Sequence, residues 1–258
     1  MALLSIITYN VNSIRSRYHI LDYLFEKYDP TILCLQETKV ADGEFPTGYF
    51  YEKGHDVYYS GEKGKSGVSV SFKRGIKAEL VSKGLNGKDR SRLLELKFEG
   101  FYLFNLYVPQ GRSPEDDEFK HKLDFLDEFI GYIDSKFKRS DPVIIVGDLN
   151  IAPTDIDVHD PKRLYGHVCF RDEVWSAYRR LIDWGFVDIF RKFNEGRVYT
   201  FYDYRVKDAV ERGLGWRVDH VLVTAPLAER AIGCGVDLTA RKMEKPSDHV
   251  PVIAKFDL

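Results

Sequence analysis

At 258 residues the chain is long enough to bury a large core, and its 44% hydrophobic content can fill one. With 38 Lys and Arg against 40 Asp and Glu, the net charge of -2 neither requires nor excludes a polyanionic partner, because phosphate binding depends on where the cations sit. Cys34, Cys169 and Cys234 are too widely spaced for a metal-type pairing, and no apolar run approaches the roughly 20 residues of a membrane span, so a disulfide framework, a structural zinc site and a transmembrane helix are not expected.

Residues 3 to 9 read as a strand rather than a signal peptide, since no basic segment precedes them, and the run ends in Tyr9-Asn10-Val11-Asn12. From about Arg17 to Tyr28 the spacing of Ile20, Leu21, Leu24 and Phe25 predicts a helix, closed by Asp29-Pro30. The buried-strand run Thr31 to Leu35 then delivers Gln36-Glu37 to its carboxyl end, so a first β-α-β unit sets Asn10, Asn12 and Glu37 at neighbouring strand tips. The pattern then changes to alternation. Segments 57–60, 68–72, 76–82, 93–98 and 101–108 predict successive strands of an antiparallel meander, the last stopped by Pro109 just after Tyr107.

Residues 114 to 138 predict a helix, with Ser113-Pro114-Glu115-Asp116 at its start and a stripe of Phe119, Leu123, Leu126, Ile130 and Ile133. Val143-Ile144-Ile145-Val146 follows as a strand buried on both faces, and Gly147-Asp148-Leu149-Asn150 places a carboxylate and a carboxamide at its end. The same four residues also suit a plain turn. A second helix is expected over Asp172 to Trp184. Beyond it lie the aromatic and basic run 197–205, a strand from Val218 to Val223 with Asp219 at its start, and Ser247-Asp248-His249 before the strand Val250 to Phe256. No linker or low-complexity tract divides the chain, and one catalytic domain over residues 1–258 is expected, in a reducing, cytoplasmic compartment.

Asn10, Asn12, Glu37, Tyr107, Asp148, Asn150, Asp219, Asp248 and His249 thus gather at strand ends, a thiolate-free set suited to a hard divalent cation. In their order, Tyr-Asn-Val-Asn (9–12), Leu-Gln-Glu-Thr-Lys (35–39), Ser-Gly-Val (66–68), Asn-Leu-Tyr-Val-Pro (105–109), Gly-Asp-Leu-Asn (147–150), Gly-Trp-Arg-Val-Asp (215–219) and Ser-Asp-His (247–249) resemble the exonuclease III/AP endonuclease family. That family lies within the DNase I-like endonuclease/exonuclease/phosphatase superfamily. Residues 147–161 look closer to bacterial-type exonuclease III than to the mammalian enzymes.

The resemblance implies a four-layer α/β sandwich, two mixed β-sheets face to face and flanked by helices, with the site at one edge. It implies a Mg²⁺- or Mn²⁺-dependent repair nuclease that cuts 5′ to abasic sites, with 3′–5′ exonuclease and 3′-phosphodiesterase activity. Carried over by motif, Glu37 holds the metal with Asn10, and Asp248 belongs to a second metal or water shell. Asp148 orients and deprotonates the attacking water, Asn150 binds phosphate or water, Tyr107 serves the phosphate or leaving oxygen, and Asp219 orients His249 toward a phosphoryl oxygen. Asn12 stands where many relatives carry Asp. For Asp148 to act as a base near neutrality, either burial must raise its pKa or the metal must lower that of the water.

Phe201, Trp216 and Val218 are expected to wall a pocket for a flipped-out abasic sugar, and Arg15, Arg17, Lys39, Arg92, Arg112 and Arg205 to hold backbone phosphates. The expected partner is abasic double-stranded DNA, bound by a monomer in the nucleoid of a prokaryote, with no membrane involved. The alternatives are a phosphoesterase of the same superfamily acting on phosphoinositide, sphingomyelin or RNA, and a non-catalytic binding module.

Overall fold

The computed structural model describes residues 3–258. Among these residues twelve strands form two six-stranded sheets. The first contains β1 (Leu3–Asn10), β2 (Ile32–Gln36), β3 (His55–Ser60), β4 (Val68–Lys73), β11 (Ala231–Val236) and β12 (Val252–Asp257), in the order β11-β12-β1-β2-β4-β3. The second contains β5 (Ala78–Lys83), β6 (Leu93–Phe98), β7 (Phe101–Tyr107), β8 (Val143–Asp148), β9 (Phe186–Asp188) and β10 (Asp219–Thr224), in the order β5-β6-β7-β8-β10-β9. Only β1 with β2 and β7 with β8 run parallel, so both sheets are mixed. Helices α1 (Tyr18–Tyr28) and α2 (Thr47–Glu52) accompany the first sheet, and α3 (Asp117–Lys136) and α5 (Asp172–Trp184) the second, with α4 (Pro161–Leu164) before α5. Three short helices complete the set: α6 (Ile189–Phe193), α7 (Ala225–Ala228) and α8 (Thr239–Lys242). Among the described residues no helix is long and apolar enough to cross a membrane.

Three apolar layers explain why the central strands read as continuous hydrophobic runs. Alternation sends Ile6, Ile32, Cys34, Ile144, Val146, Val221 and Val223 into the space between the sheets. The intervening Ile7, Leu33 and Leu35 face Ile20, Leu21 and Leu24 of α1, while Val143 and Ile145 face Phe125, Phe129 and Ile133 of α3. The expected four-layer α/β sandwich is the architecture observed.

Two expectations change. The five strands from His55 onward are not one meander: β3 and β4 complete the first sheet beside β2, and β5 to β7 open the second. Local alternation marks a strand but carries nothing about the sheet it joins. The long helix starts at Asp117, later than expected, because Asp116 is its N-cap and accepts from the Phe119 amide at 2.6 Å.

Behind β10 lies a buried ionic cluster. Arg217, fully buried between Trp216 and Val218, donates to Asp157 at 2.6 Å and ion-pairs with Asp188 at 2.9 Å, and Arg191 also pairs with Asp157. Burial alone would raise the Asp157 pKa, but Arg217, Thr154 and Arg191 pull it down to about 2. A carboxylate whose folded pKa is depressed contributes stability above its ordinary pKa and loses it as the pH falls toward the folded value. That contribution, on the order of 2 kcal/mol, should vanish between about pH 4 and pH 2. Acid unfolding followed by circular dichroism should therefore lose this component in Asp157→Asn, which should also cost about 3 kcal/mol at neutral pH by leaving Arg217 under-paired. An unchanged acid transition would remove Asp157 from the account.

Candidate active site

The side-chain alternation that builds the inter-sheet core also builds the site, because on five strands the inward series continues past the apolar residues to a polar end. It reaches Asn10 on β1, Gln36 on β2, Tyr107 on β7, Asp148 on β8 and Asp219 on β10. Register aligns these ends: Asn10 lies opposite Gln36, and Asp148 opposite both Tyr107 and Asp219. Beneath them Gln36 Nε2 donates to Asn105 Oδ1 at 2.6 Å, a buried link from the first sheet to the second. Gly147 lets β7 approach: a Cβ there would lie 2.0 Å from the Leu106 carbonyl oxygen, and its φ of +133° is one that side chains resist.

Asn10 Nδ2 donates to Glu37 Oε1 at 2.8 Å and to Asp148 Oδ2 at 2.9 Å, tying the two carboxylates together. Asp148 Oδ1 accepts from the Asn150 amide at 2.9 Å. Asp219 Oδ2 lies 2.8 Å from His249 Nδ1, and His249 Nε2 lies 3.7 Å from Asp148 Oδ2. Glu37, Asp148 and His249 each offer a ligand atom within 4.8 Å of the others. This carboxylate-rich group fits a hard divalent cation, with the Cys169 thiol turned toward Lys122 and Asn150 instead.

Burial shapes the electrostatics. It pushes Asp148 up to about 7, helped by Asp219 and Glu37 and opposed by His249 and the Asn10 hydrogen bond. For His249 burial disfavours the charged ring, but Asp219 and Asp148 outweigh it and raise the imidazole to about 10. Glu37 goes the other way: burial would raise it, and Asn10, Lys39 and His249 bring it below its ordinary value. Burial, then Glu37 and Asp148, drives the Tyr107 phenol well above 10, so it remains a proton donor.

A cavity of about 370 Å³ opens beside this cluster, lined by Glu37, Asp148, Asn150, Asp248 and His249 and walled by Phe201, Trp216 and Val218. Phe201 packs edge-on against His249 at 5.0 Å and exchanges backbone hydrogen bonds with Trp216. Arg205 stands at the rim, ion-paired to Asp203. Other expected phosphate-binding residues lie outside the lining: Arg15 pairs with Glu44, Arg17 donates to Tyr204 and the Pro246 carbonyl, Arg92 lies over the Tyr107 ring, and Arg112 pairs with Glu118. Lys39 sits closer to the chemistry than expected, 3.0 Å from Glu37 and bonded to Asn12. Asn10 presents its amide nitrogen to the carboxylates, its oxygen accepting from the Asn12 amide at 3.1 Å, so the amide would have to turn over to act as a ligand. Asp248 accepts from Asn12 Nδ2 at 3.0 Å and stays outside the three-residue ligand group.

Sequence reasoning missed Gln110, His167, Cys169, Asp203 and Tyr204 in the lining. Gln110, directly after the strand-stopping proline, carried a positional signal; the others come from irregular segments without periodicity.

Comparison with known proteins agrees with this geometry. Residues 7–249 match the Endonuclease/Exonuclease/phosphatase family. The chain is 36% identical to the exodeoxyribonuclease III of Haemophilus influenzae, over 97% of this chain and 98% of that one. Its structure is similar to that of an AP endonuclease from Archaeoglobus fulgidus, with a TM-score of 0.95 and 44% identity over 99% of this chain and 100% of the other. It is also similar to a 3′ phosphatase from Neisseria bound to a product DNA hairpin, with a TM-score of 0.92 and 30% identity over 99% and 100% of the two chains. Strand-end carboxylates, a His–Asp pair and a two-sheet sandwich matched over nearly its whole length place this chain in the endonuclease/exonuclease/phosphatase family, in its exodeoxyribonuclease III and AP endonuclease branch.

Proposed function

We propose that the chain is a Mg²⁺-dependent DNA repair nuclease, able to use Mn²⁺, that hydrolyses the phosphodiester 5′ to an abasic site and trims 3′ ends at the same centre. The observation that carries this reading is the placement of buried Asp148 between Glu37 and the His249–Asp219 pair, beside an aromatic-walled cavity.

Asp148 takes the proton of the attacking water, and burial brings its pKa to the range where a carboxylate accepts a proton near neutrality. Asn150 Nδ2 is spent on the Val108 carbonyl, which leaves its amide oxygen for the water. His249, kept protonated between two carboxylates, meets the charge that grows on a non-bridging phosphoryl oxygen. The Tyr107 phenol donates to the phosphate or the departing 3′ oxygen. A divalent cation held by Glu37 would supply charge neutralisation at the phosphate and the leaving oxygen. Phe201, Trp216 and Val218 admit a sugar without its base, because a base-bearing nucleotide does not fit between aromatic walls.

Incubation with duplex DNA carrying one abasic analogue, with Mg²⁺ and with EDTA, tests this reading. Metal-dependent nicking 5′ to the lesion is expected. Activity on RNA or lipid headgroups alone, or binding without cleavage, overturns it. Trp216→Ala should reduce the ratio of kcat/KM for abasic over intact duplex by about 10- to 100-fold, the range that one pocket wall can provide. An unchanged ratio would reassign Trp216 to packing.

A further inference from the structure

Lys122 lies on the inward face of α3, three residues after Phe119 and three before Phe125, with no exposed surface. Among the described residues no carboxylate pairs with it. Its ammonium instead donates to three backbone carbonyls: Asn150 at 2.6 Å, Val168 at 2.7 Å and Gln110 at 3.3 Å. An ammonium has three protons, and here each has an acceptor.

The three carbonyls belong to segments far apart in sequence, after β7, after β8 and just before α5, and all three segments line the catalytic cavity through Gln110, Asn150, and His167 with Cys169. The Asn150 backbone is where this support meets the chemistry. Its carbonyl is held by Lys122, its N–H holds Asp148 Oδ1 at 2.9 Å, and its side chain is tied to Val108. Its φ of +52° is left-handed, a conformation that non-glycine residues keep only when their surroundings impose it. Burying a cation without a counter-charge is unfavourable, and burial lowers the Lys122 pKa accordingly. A plain apolar residue would fill this place on α3 without that cost, but it could not hold three carbonyls.

We infer that Lys122 is a positioning residue: it draws three loops that are distant in sequence, and otherwise joined only pairwise by the Asn150–Val108 and Ala152–Cys169 hydrogen bonds, onto one point of the cavity wall, and it sets the Asn150 backbone that orients Asp148. Its consequence for turnover rests on the nuclease reading above; its consequence for the loops does not.

Two readouts therefore test it. Amide hydrogen exchange on the free protein should show, in Lys122→Met, faster exchange in residues 108–113, 149–152 and 166–171 together, with β2 and α1 unchanged. Lys122→Gln, whose amide can serve at most two of the three carbonyls, should loosen at least one segment, and it keeps the test open if the Met variant does not fold. On abasic duplex, kcat should fall about 10- to 100-fold, the loss that a displacement near 1 Å produces, with KM changed less than about threefold. Lys122→Arg should recover part of both. Wild-type exchange in all three segments of a folded variant overturns the clamp, and loosened loops with wild-type kcat overturn its role in positioning Asp148. If the wild-type protein cleaves no abasic DNA, the nuclease reading fails, and the exchange data still decide whether Lys122 ties the loops.

Discussion

Asp148→Asn is expected to lower kcat by about 10³- to 10⁴-fold while leaving affinity for abasic duplex within a few-fold of wild type. Asn keeps the shape of the side chain and can still accept from the Asn150 amide through its oxygen, and the cavity should persist once the Asn10 amide, which donated to the other carboxylate oxygen, turns over to accept from the new amide group. What it loses is the capacity to take a proton, together with one of the two carboxylates that face His249. These losses fall on one step and will not add, so the single change should approach the loss from removing Glu37 as well. The buried carboxylate, its pKa raised to about 7, opposes folding at neutral pH when ionised, but it also holds the His249 imidazolium; removing it has opposing effects on stability, and the Asn variant should unfold within a few degrees of wild type. Single-turnover nicking, gel-shift binding in EDTA and thermal denaturation check the three parts. Wild-type turnover would take Asp148 out of the mechanism.

The second large effect is expected at a residue that touches no substrate. Asp219 is almost fully buried, and one of its oxygens is 2.8 Å from His249 Nδ1. That contact sets the ring orientation, places the proton on Nδ1 and stabilises the imidazolium. Without the Asp219 charge the ring holds its second proton less tightly, and once it is neutral an Asn amide N–H turned toward Nδ1 favours the wrong tautomer, a change that costs up to about 10⁴-fold in hydrolases with an analogous Asp–His pair. We expect Asp219→Asn to reduce kcat by about 10²- to 10⁴-fold with KM little altered. If it acts through His249, the double variant Asp219→Asn, His249→Ala should be no slower than His249→Ala alone. Fully additive losses would show that Asp219 works by another route.

Much of the scaffold was legible because it follows from local periodicity. The runs 3–9, 31–35, 143–146 and 218–223 alternate between two buried faces, and each forms a strand within a residue or two of its expected bounds. The short β9, α6 and β11 were not foreseen: a three-residue strand and a five-residue helix are too brief to show a period, and β11 contains two glycines. Lys122 was visible as a charge three residues from Phe119 on an apolar stripe, but its position alone could not distinguish a solvated lysine from a buried one.

The order of residue types along the chain was enough to establish that carboxylates, amides and a histidine stand at the ends of apolar strands, because that arrangement depends only on neighbours within a few residues. Tertiary structure alone decided that Lys39 pairs with Glu37, that Arg15 and Arg112 find partners away from the cavity, that β4 joins β2 rather than β5, and that Asp148 is buried deeply enough for its pKa to rise. Each of these depends on the surface or charge that a side chain meets across the fold, which lies tens or hundreds of residues away in the chain.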